Sequence, residues 1–318
     1  MKNEIINSCW ICLSLLRQKV KETSNKVHTC HLLFGKQGSE NIFINEDACG
    51  NATYKVSVYI GSSSNGTSLN EVIIDNKLNL TWSKNNIPNY IANYLTLYLP
   101  YCFANIYAKQ YNIPYTTSHT AQSLDGCIAT NSGHSKWIGN NENLIHAHRM
   151  RALCDAVLVG KNTVTYDHPK LNVRHVDGNC PTRVIVGGDK NLDFSSLIDA
   201  DTNTIIHATT QPYAHSILNI IELTKINGQI SLNHLLKKLY YDFAIHSIYI
   251  EGGAKLISSF AQNNLLNVMQ IHISPMLIGN GMRVASSETI DNIKDAQRFT
   301  NGKFFSMANE VMFVGVPK

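Results

Sequence analysis

Two apolar runs in the second half of the chain are each followed by residues suited to hold an anion. Residues 156–160 lead into Lys161-Asn162-Thr163, and residues 247–250 lead into Glu251-Gly252-Gly253-Ala254. Each segment predicts a strand that turns into a helix, and the first N–H groups of a helix attract phosphate. Glycine also lets a backbone approach a diphosphate closely. The two turns indicate a nucleotide-binding crevice at the carboxyl ends of neighbouring strands, although the chain contains no G-x-G-x-x-G fingerprint.

A second group of candidate ligand-binding side chains is basic. Residues 146–151 read His-Ala-His-Arg-Met-Arg within a predicted helix. Because positions two apart on a helix point to different faces, His146 and His148 do not suit a shared metal ion, and only one of the two arginines faces a given ligand. An arginine at the rim of a cleft suits phosphate, since its planar fork binds two oxygens. Taken alone, however, either arginine is more often a solvated surface charge.

Further candidates fall on loops. Asp125-Gly126 predicts a tight turn, and Trp137 falls on a polar loop close to Ser135. A flat aromatic ring can wall a planar ligand, and a serine hydroxyl can donate to phosphate; a turn with one buried tryptophan is the alternative. The short helix predicted after residue 160 ends at Pro169. Asp167, Leu171 and Arg174 are then expected to lie close together on the loop that follows.

Alternating strands and helices must position these residues. From residue 113 onward, β-type runs alternate with helical patterns, which favours an α/β fold with parallel strand pairs. The predicted strands are residues 115–121, 156–160, 182–186, 204–208, 247–250 and 268–273. The predicted helices are residues 140–153, 231–239 and 254–262. A closing hairpin over residues 304–315, with its turn at Asn309-Glu310, makes the sheet mixed.

Residues 1–112 carry little recognisable chemistry. We predict a helix over residues 5–21, a strand over residues 54–60 with 72–74 as its hairpin partner, and a helical stretch over 89–111 that Pro100 kinks or divides. Cys9-Trp10-Ile11-Cys12 is a C-x-x-C, but its helical spacing favours a buried apolar face over a redox or zinc site. The Gly/Ser-rich residues 61–66 lack the lysine of a phosphate loop and are interpreted as a turn.

Composition bounds the class of protein. The 318 residues suffice for two domains. A formal net charge of +4, with 16% charged residues, is too weak to indicate nucleic acid or an anionic membrane as a partner. No run approaches the roughly 18 apolar residues of a transmembrane helix, and the eight cysteines are irregularly spaced. With no signal-peptide pattern at the start, these features favour a cytoplasmic protein with reduced thiols.

Residues 113–315 resemble the reductase domain of riboflavin biosynthesis, the RibD C-terminal family, which forms the C-terminal half of a bifunctional deaminase–reductase. The resemblance rests on five ordered motifs: Ser123-Leu-Asp-Gly126, Gly133-His-Ser-Lys-Trp137, His148-Arg-Met-Arg-Ala152, the run from Val159 to Arg174, and Glu251-Gly-Gly-Ala254. It implies a dihydrofolate-reductase-like fold, with a mixed, mostly parallel sheet flanked by helices. A small α+β domain of unknown role is expected over residues 1–112, and the reductase domain over residues 113–318.

The resemblance also implies an activity and its residues. The family reduces 5-amino-6-(5-phosphoribosylamino)uracil with NADPH, placing hydride on the sugar C1′ and opening the ribosyl group to ribityl. The expected cofactor-binding residues are Ala121, Trp137, Gly160, Thr163, Asp167, Gly252, Gly253 and Ala254. The expected substrate-binding residues are His119, Ser135, Arg151, Leu171, Arg174 and Glu251. The proton that the reduction requires is expected to come from water or from a catalytic carboxyl group, with Asp125 and Glu251 as the candidates.

The sequence departs from the family in two respects. It contains neither the H-x-E nor the P-C-x-x-C of zinc deaminases, so we expect no deaminase activity and no zinc. Residues 1–112 instead look like the N-terminal extension of stand-alone members. The family also often has a lysine where this chain has His119, and Gln122 falls just before Ser123; both changes face the expected active site. An NADPH reductase of another, pterin-like or secondary-metabolite heterocycle is therefore the alternative, and a non-catalytic nucleotide-binding protein is a third. A homodimer is expected, with residues 94–107 as its candidate surface.

Overall fold

The computed structural model describes residues 2–23, 26–35, 38, 40–46, 52–61, 68–198, 204–226, 228–284 and 291–318. Cys49 and most of the loop predicted at residues 61–66 lie outside these described residues. The chain divides into two compact units, Met1–Tyr111 (unit 1) and Asn112–Lys318 (unit 2). Within the described part of the chain, none of the helices is both long and apolar enough to cross a membrane.

Unit 1 combines a five-stranded sheet with helices that precede and follow the strands along the chain. In chain order its elements are α1 (Lys2–Glu22), β1 (Thr29–Phe34), β2 (Asn41–Ile44), β3 (Tyr54–Ile60), β4 (Glu71–Ile74), β5 (Leu80–Lys84), α2 (Asn89–Tyr98) and α3 (Ala104–Tyr111). The strand order is β2-β1-β3-β4-β5. The predicted helix at the start and the predicted strand over residues 54–60 are confirmed. Pro100 divides the later helical stretch, because a 3-10 turn, Leu99–Phe103, separates α2 from α3.

Two expectations for unit 1 are wrong. Residues 72–74 do not form a hairpin with β3: β4 lies parallel to β3, with Val58 opposite Val72. A tight hairpin turn cannot join parallel neighbours, and ten residues, 61–70, separate the two strands in the sequence. The aromatic stretch proposed as a dimer surface is also core, since Tyr94, Leu95 and Tyr98 are buried within unit 1. A homodimer would therefore need another surface.

Unit 2 is built on a nine-stranded mixed sheet. Its strands are β6 (Tyr115–Ser123), β8 (Ala156–Gly160), β9 (Thr182–Val186), β10 (Ile205–Thr209), β11 (Asn219–Glu222), β14 (Ser247–Glu251), β15 (Val268–Ser274), β17 (Phe299–Met307) and β18 (Glu310–Pro317). The order is β11-β10-β9-β8-β14-β6-β15-β18-β17. All neighbours from β11 to β15 are parallel, and the last two strands are antiparallel. The shorter strands are β7 (Cys127–Ala129), β12 (Lys225–Ile226), β13 (Gln229–Ile230) and β16 (Met282–Arg283).

The helices of unit 2 are α4 (Asn141–Leu153), α5 (Lys161–Asp167), α6 (Leu232–Phe243) and α7 (Ala254–Gln262). Parallel strands are buried on both faces and read as continuous apolar runs, as Ala156–Val159 shows. One core cluster joins strand residues such as Leu158 and Ile250 to Leu235 of α6 and Phe260 of α7. The predicted strands and helices are confirmed to within a few residues. The closing hairpin turns at Ala308-Asn309, one residue earlier than predicted.

Candidate active site

The carboxyl ends of β8 and β14 lie side by side and form a glycine-lined cradle. Gly252 and Gly253, between β14 and α7, have φ angles of 92° and 66°, which favour glycine. A Cβ atom on Gly252 would lie 2.9 Å from Oγ1 of Thr163 in α5. The two strand-to-helix turns therefore approach each other so closely that no side chain fits between them. Gly160 precedes α5 and Ala254 begins α7, so five of the predicted cofactor residues lie together.

Arg151 and Glu251 form a buried ion pair next to this cradle. Arg151 Nε lies 2.6 Å from Glu251 Oε1, and Arg151 Nη2 lies 2.6 Å from Glu251 Oε2. The remaining Nη1 donates to the carbonyl oxygen of Asn172 at 3.0 Å. Burial lowers the pKa of Arg151, but the adjoining carboxylate outweighs it and leaves the pKa raised. The planar fork of Arg151 is thus engaged by Glu251, and not open to a phosphate as the sequence suggested.

Arg174 lies beside this pair and is exposed. Its backbone N–H donates to Nδ1 of His148 at 3.1 Å, and its Nη1 donates to Oδ1 of Asn172 at 2.8 Å. Burial and the charges of Arg151 and Arg174 lower the pKa of His148 to about 3. The neutral imidazole can therefore accept the hydrogen bond. His148 and Asn172 were not predicted as site residues; the signals for His148 were its place in a basic segment and in the motif His148-Arg-Met-Arg-Ala152.

The loop that carries Arg174 contains strained backbone. His168 and Leu171 have φ angles of 45° and 53°, in the left-handed region that costs energy for residues other than glycine. The Leu171 side chain is buried, so it anchors the loop. Such strain concentrates at functional sites. Contact between Leu171 and substrate stays a prediction.

Asp125 is committed to a structural contact. Its carboxylate accepts hydrogen bonds from the Ser123 hydroxyl, from the backbone N–H of Gly279 at 2.6 Å and from that of Ile278 at 3.2 Å. These bonds lower the pKa of Asp125 to about 2. The side chain is therefore ionised at neutral pH and fastens the loop after β15 to the end of β6. A carboxylate in this state cannot donate a proton, which weakens its assignment as the acid.

His119 is buried in β6 beneath α4. Its ring stacks on Tyr249 at 5.8 Å between centroids and meets His146 edge-on at 5.1 Å. His146 in turn lies 2.9 Å from Oε1 of Gln270 through its Nε2. Burial, together with the neighbouring His146 and His272, lowers the pKa of His119 well below its usual value. The structure therefore makes His119 part of a neutral buried cluster and does not expose it at the strand end.

The loop between β7 and α4 carries the remaining predicted residues. Trp137 is 83% exposed and has a φ of 68°, and Ser135 is half-buried beside it. Burial raises the pKa of Asp167 at the end of α5, and the charge of Lys136 partly offsets this. The loop is therefore close to α5, and the lysine was not singled out from the sequence. Ala121 lies near the end of β6 and pairs with His272 in β15.

The start of α4 is fixed by the C-terminal hairpin. The side chain of Asn140 caps the helix by accepting from the Asn143 N–H at 3.0 Å. The Asn140 N–H donates to Oε2 of Glu310 at 3.0 Å, and that carboxylate also hydrogen-bonds His272. Glu310 was predicted only as a turn residue. Its contacts connect β15, β18 and the helix that carries Arg151.

Unit 2 matches the model of a known protein family. The model of the RibD C-terminal domain matches residues 114–312. A 2,5-diamino-6-ribosylamino-4(3H)-pyrimidinone 5′-phosphate reductase from Methanothermobacter thermautotrophicus is 28% identical over 209 residues, 63% of this chain and 96% of its own length. The riboflavin biosynthesis protein RibD of Aquifex aeolicus is 32% identical over 176 residues, 54% of this chain and 49% of that protein. In the sequence comparison, the chain thus matches about half the length of this RibD relative.

Solved structures show the same fold. RibD of Acinetobacter baumannii aligns over 100% of both chains, with a TM-score of 0.66 and 18% identity. The riboflavin biosynthesis reductase of Saccharomyces cerevisiae covers 65% of this chain and 90% of its own, with a TM-score of 0.54 and 21% identity. A Thermotoga maritima deaminase/reductase covers 98% of this chain and 100% of its own, with a TM-score of 0.59 and 18% identity. The expected reductase fold is confirmed.

Proposed function

Since the chain belongs to the RibD C-terminal domain family, we propose that it is an NADPH-dependent oxidoreductase of riboflavin biosynthesis. The proposed reaction reduces 5-amino-6-(5-phosphoribosylamino)uracil to its ribitylamino product. The observation that carries the proposal is the cradle at the ends of β8 and β14, where Gly252 has room for no side chain against Thr163. One curated relative is named as a 2,5-diamino-6-ribosylamino-4(3H)-pyrimidinone 5′-phosphate reductase, a name with one amino group more than the proposed uracil product, and another is named as RibD.

The cradle fits a nicotinamide dinucleotide. Two glycines with positive φ let a diphosphate approach the backbone, and the first N–H groups of the nine-residue α7 lie behind them. Gly160 and Thr163 line the facing turn. When bound, the cofactor supplies hydride. The chain's own residues would hold the diphosphate, while exposed Trp137 and half-buried Asp167 lie on the adjoining loop and helix end.

Lys161 supports NADPH over NADH. It is the first residue of α5, and it is exposed. A Cβ atom on Gly188, in the turn after β9, would lie 3.5 Å from the Cβ of Lys161, and one on Gly187 would lie 4.0 Å from its Cδ. Its side chain therefore runs along a second glycine turn, with φ angles of 83° and 88°. An ammonium group there would favour the extra ribose phosphate of NADPH.

Among the residues predicted to bind the substrate, Arg174 and Arg151 take different roles in this proposal. Arg174 is exposed with Nη1 on Asn172, so it is the better phosphate ligand, with Ser135 as its proposed helper. Arg151 becomes a positioning residue that orients Glu251. Each Glu251 oxygen that accepts from Arg151 keeps lone-pair capacity, which suits a pyrimidine N–H or a ribosyl hydroxyl. Because Asp125 is ionised, we assign the proton to water held near Glu251.

The alternative substrates lose part of their support. They rested on His119, in place of a lysine near the substrate, and on Gln122; of these two, His119 is 7% exposed and packs against His146 of α4. A change at a buried position alters what the substrate meets less than a change at the open strand end. We retain the cytoplasm as the proposed compartment, because the seven described cysteines are all thiols and not disulfides.

The direct test is an assay of the purified chain with the phosphoribosylaminouracil and NADPH. We expect loss of the near-ultraviolet absorbance of NADPH, with one product molecule, two hydrogens heavier than substrate, for each NADPH consumed. Thermal-shift titration with NADPH and NADH runs in parallel. Stabilisation by cofactor without turnover would point to another heterocycle as substrate. No stabilisation by either cofactor would overturn the reductase assignment.

A further inference from the structure

The match to full-length bifunctional chains includes unit 1. The family model covers residues 114–312 only, yet RibD of Acinetobacter baumannii and the Thermotoga maritima protein align over 100% and 98% of this chain. The Thermotoga protein is named as both a deaminase and a reductase. Since unit 2 accounts for the reductase half, unit 1 corresponds in fold to the other half, the deaminase. The fold therefore implies a zinc centre in unit 1, and its residues can be tested for one.

The motif residues of a zinc deaminase do not occur in unit 1. Such enzymes hold zinc through a histidine and two cysteines, with a glutamate two residues after the histidine to move protons. The histidines of residues 1–111 are His28 and His31, and neither is followed by a glutamate two residues later. His31 is engaged through Nδ1 with the Ser57 hydroxyl at 2.9 Å. The sequence Pro100-Tyr101-Cys102 does not form P-C-x-x-C.

The described cysteines of unit 1 serve as packing residues. Cys9, Cys12, Cys30 and Cys102 are each 0% exposed. The thiol of Cys12 donates to the Leu33 carbonyl at 3.1 Å, and that of Cys102 to the Leu13 carbonyl at 3.5 Å. Burial raises the pKa of Cys12 and Cys102 to about 12. Zinc binds thiolates, whereas these groups are protonated donors within an apolar core.

The buried carboxylate of Glu71 and the segments between the strands of unit 1 also argue against a zinc site. Glu71 is fully buried, and its Oε1 accepts a hydrogen bond from the Ser68 N–H at 2.8 Å. Its carboxylate therefore holds the backbone that precedes β4. Over the described residues from β1 to β5 there are strands and turns and no helix. Throughout the described chain, no group of three histidine, cysteine or acidic side chains converges as metal ligands would. The described residues of unit 1 therefore do not fit a catalytic zinc.

We propose that unit 1 is a deaminase-type fold without a zinc centre or deaminase activity, and that a separate hydrolytic deaminase supplies the substrate of unit 2. In that supplying reaction a pyrimidine ring carbon gains the oxygen of water, its bond to the exocyclic amine nitrogen breaks, and ammonia leaves. No electrons are transferred. The identity of the supplied substrate rests on the proposed function, whereas the loss of zinc chemistry rests on unit 1 alone.

The first test measures zinc and ammonia on the full chain. Protein produced in zinc-supplemented medium is examined by elemental analysis, and ammonia is measured with the aminated phosphoribosylpyrimidine as substrate. The Thermotoga maritima deaminase/reductase is the positive control for ammonia release. We expect far less than the one zinc ion per chain that an occupied catalytic site would hold, and no ammonia above the blank. Zinc at one per chain, or ammonia release that a chelator abolishes, would overturn the proposal.

The second test separates this inference from the proposed function. NADPH consumption is followed with the deaminated substrate, with the aminated substrate, and with the aminated substrate plus a purified hydrolytic deaminase. We expect consumption in the first and third reactions only. Equal rates on the aminated substrate without the deaminase would refute the need for a supplying deaminase. Failure with every substrate would sink the proposed function, yet leave the zinc and ammonia result standing.

Discussion

Arg151 and Glu251 face each other as a two-point ion pair, with both nitrogen–oxygen distances at 2.6 Å. The arginine comes from the helix that covers the sheet, and the glutamate ends the strand that leads into the glycine cradle. The pair therefore joins α4 to β14, the strand that leads into Gly252 and Gly253. Because both side chains are largely buried, at 11% and 17% exposure, removing one partner leaves a charge that water cannot readily solvate.

We expect Arg151→Ala to lower the free energy of unfolding by about 3 kcal/mol, because Glu251 is left charged and unpaired. Reductase activity falls as well, since Glu251 loses its orientation. Urea unfolding and steady-state kinetics measure the two effects. In the double variant Arg151→Ala/Glu251→Gln the stability loss is smaller than the sum of the single losses. Additive losses would show that the two side chains do not act as a pair.

Arg174→Gln tests the phosphate assignment. We expect KM for the phosphorylated substrate to rise about tenfold, equivalent to about 1.4 kcal/mol of binding, with kcat little changed. The dephosphorylated substrate is the control, because its KM is the same for both proteins if Arg174 binds the phosphate. Arg298→Gln, at another exposed arginine, controls for loss of charge. An unchanged KM with the phosphorylated substrate would remove Arg174 from the site.

Gly252→Val tests the cradle. The added side chain meets Thr163 Oγ1 within 2.9 Å, in a backbone region with a φ of 92°. We expect stabilisation by NADPH in thermal-shift titration to disappear. Gly228→Val is the matched control, since Gly228 has a φ of 78° and open space around it, and it bears the same backbone strain without filling the cradle. Undiminished NADPH binding by Gly252→Val would place the diphosphate elsewhere.

Lys161→Glu tests the choice between NADPH and NADH. We expect the ratio of kcat/KM for NADPH to that for NADH to fall at least tenfold, about 1.4 kcal/mol, because a carboxylate repels the ribose phosphate. The control is Lys237→Glu, which makes the same change in net charge at an exposed position in α6 that is not among the nearest neighbours of Gly187 or Gly188. Equal effects of the two variants, or none from either, would argue against a phosphate contact at Lys161.

Acid should destabilise unit 2 through its buried histidines. Burial lowers the pKa of His146 and His148 to about 3, against about 6.5 in an unfolded chain. Between these values the unfolded state binds more protons, so stability is complete above about pH 6.5 and falls toward pH 3. Urea midpoints at stepped pH values measure the slope. His146→Gln keeps a polar partner for Gln270 and should flatten it; an unchanged slope would mean that other groups dominate.

Local sequence patterns predicted the elements that carry the site, but not the contacts between distant segments. The apolar runs of β8 and β9 and the Gly252-Gly253 turn carry strong short-range signals, and they lie where predicted. The direction of β4 depends on pairing across a crossover, which no local pattern specifies. Likewise, Arg151 meets a partner 100 residues away, and Asp125 binds a loop more than 150 residues away. Only the folded chain determines those roles.

The position of β6 affects how the protein is made on the ribosome. This strand is the first of unit 2 to be synthesised, yet its neighbours in the sheet are β14 and β15, which begin at Ser247 and Val268. At about 5–20 residues per second, translation takes on the order of ten seconds to reach the first of them. Meanwhile β6 has both edges open to mispairing on the nascent chain, so codon usage between residues 124 and 246 should influence the yield of active enzyme.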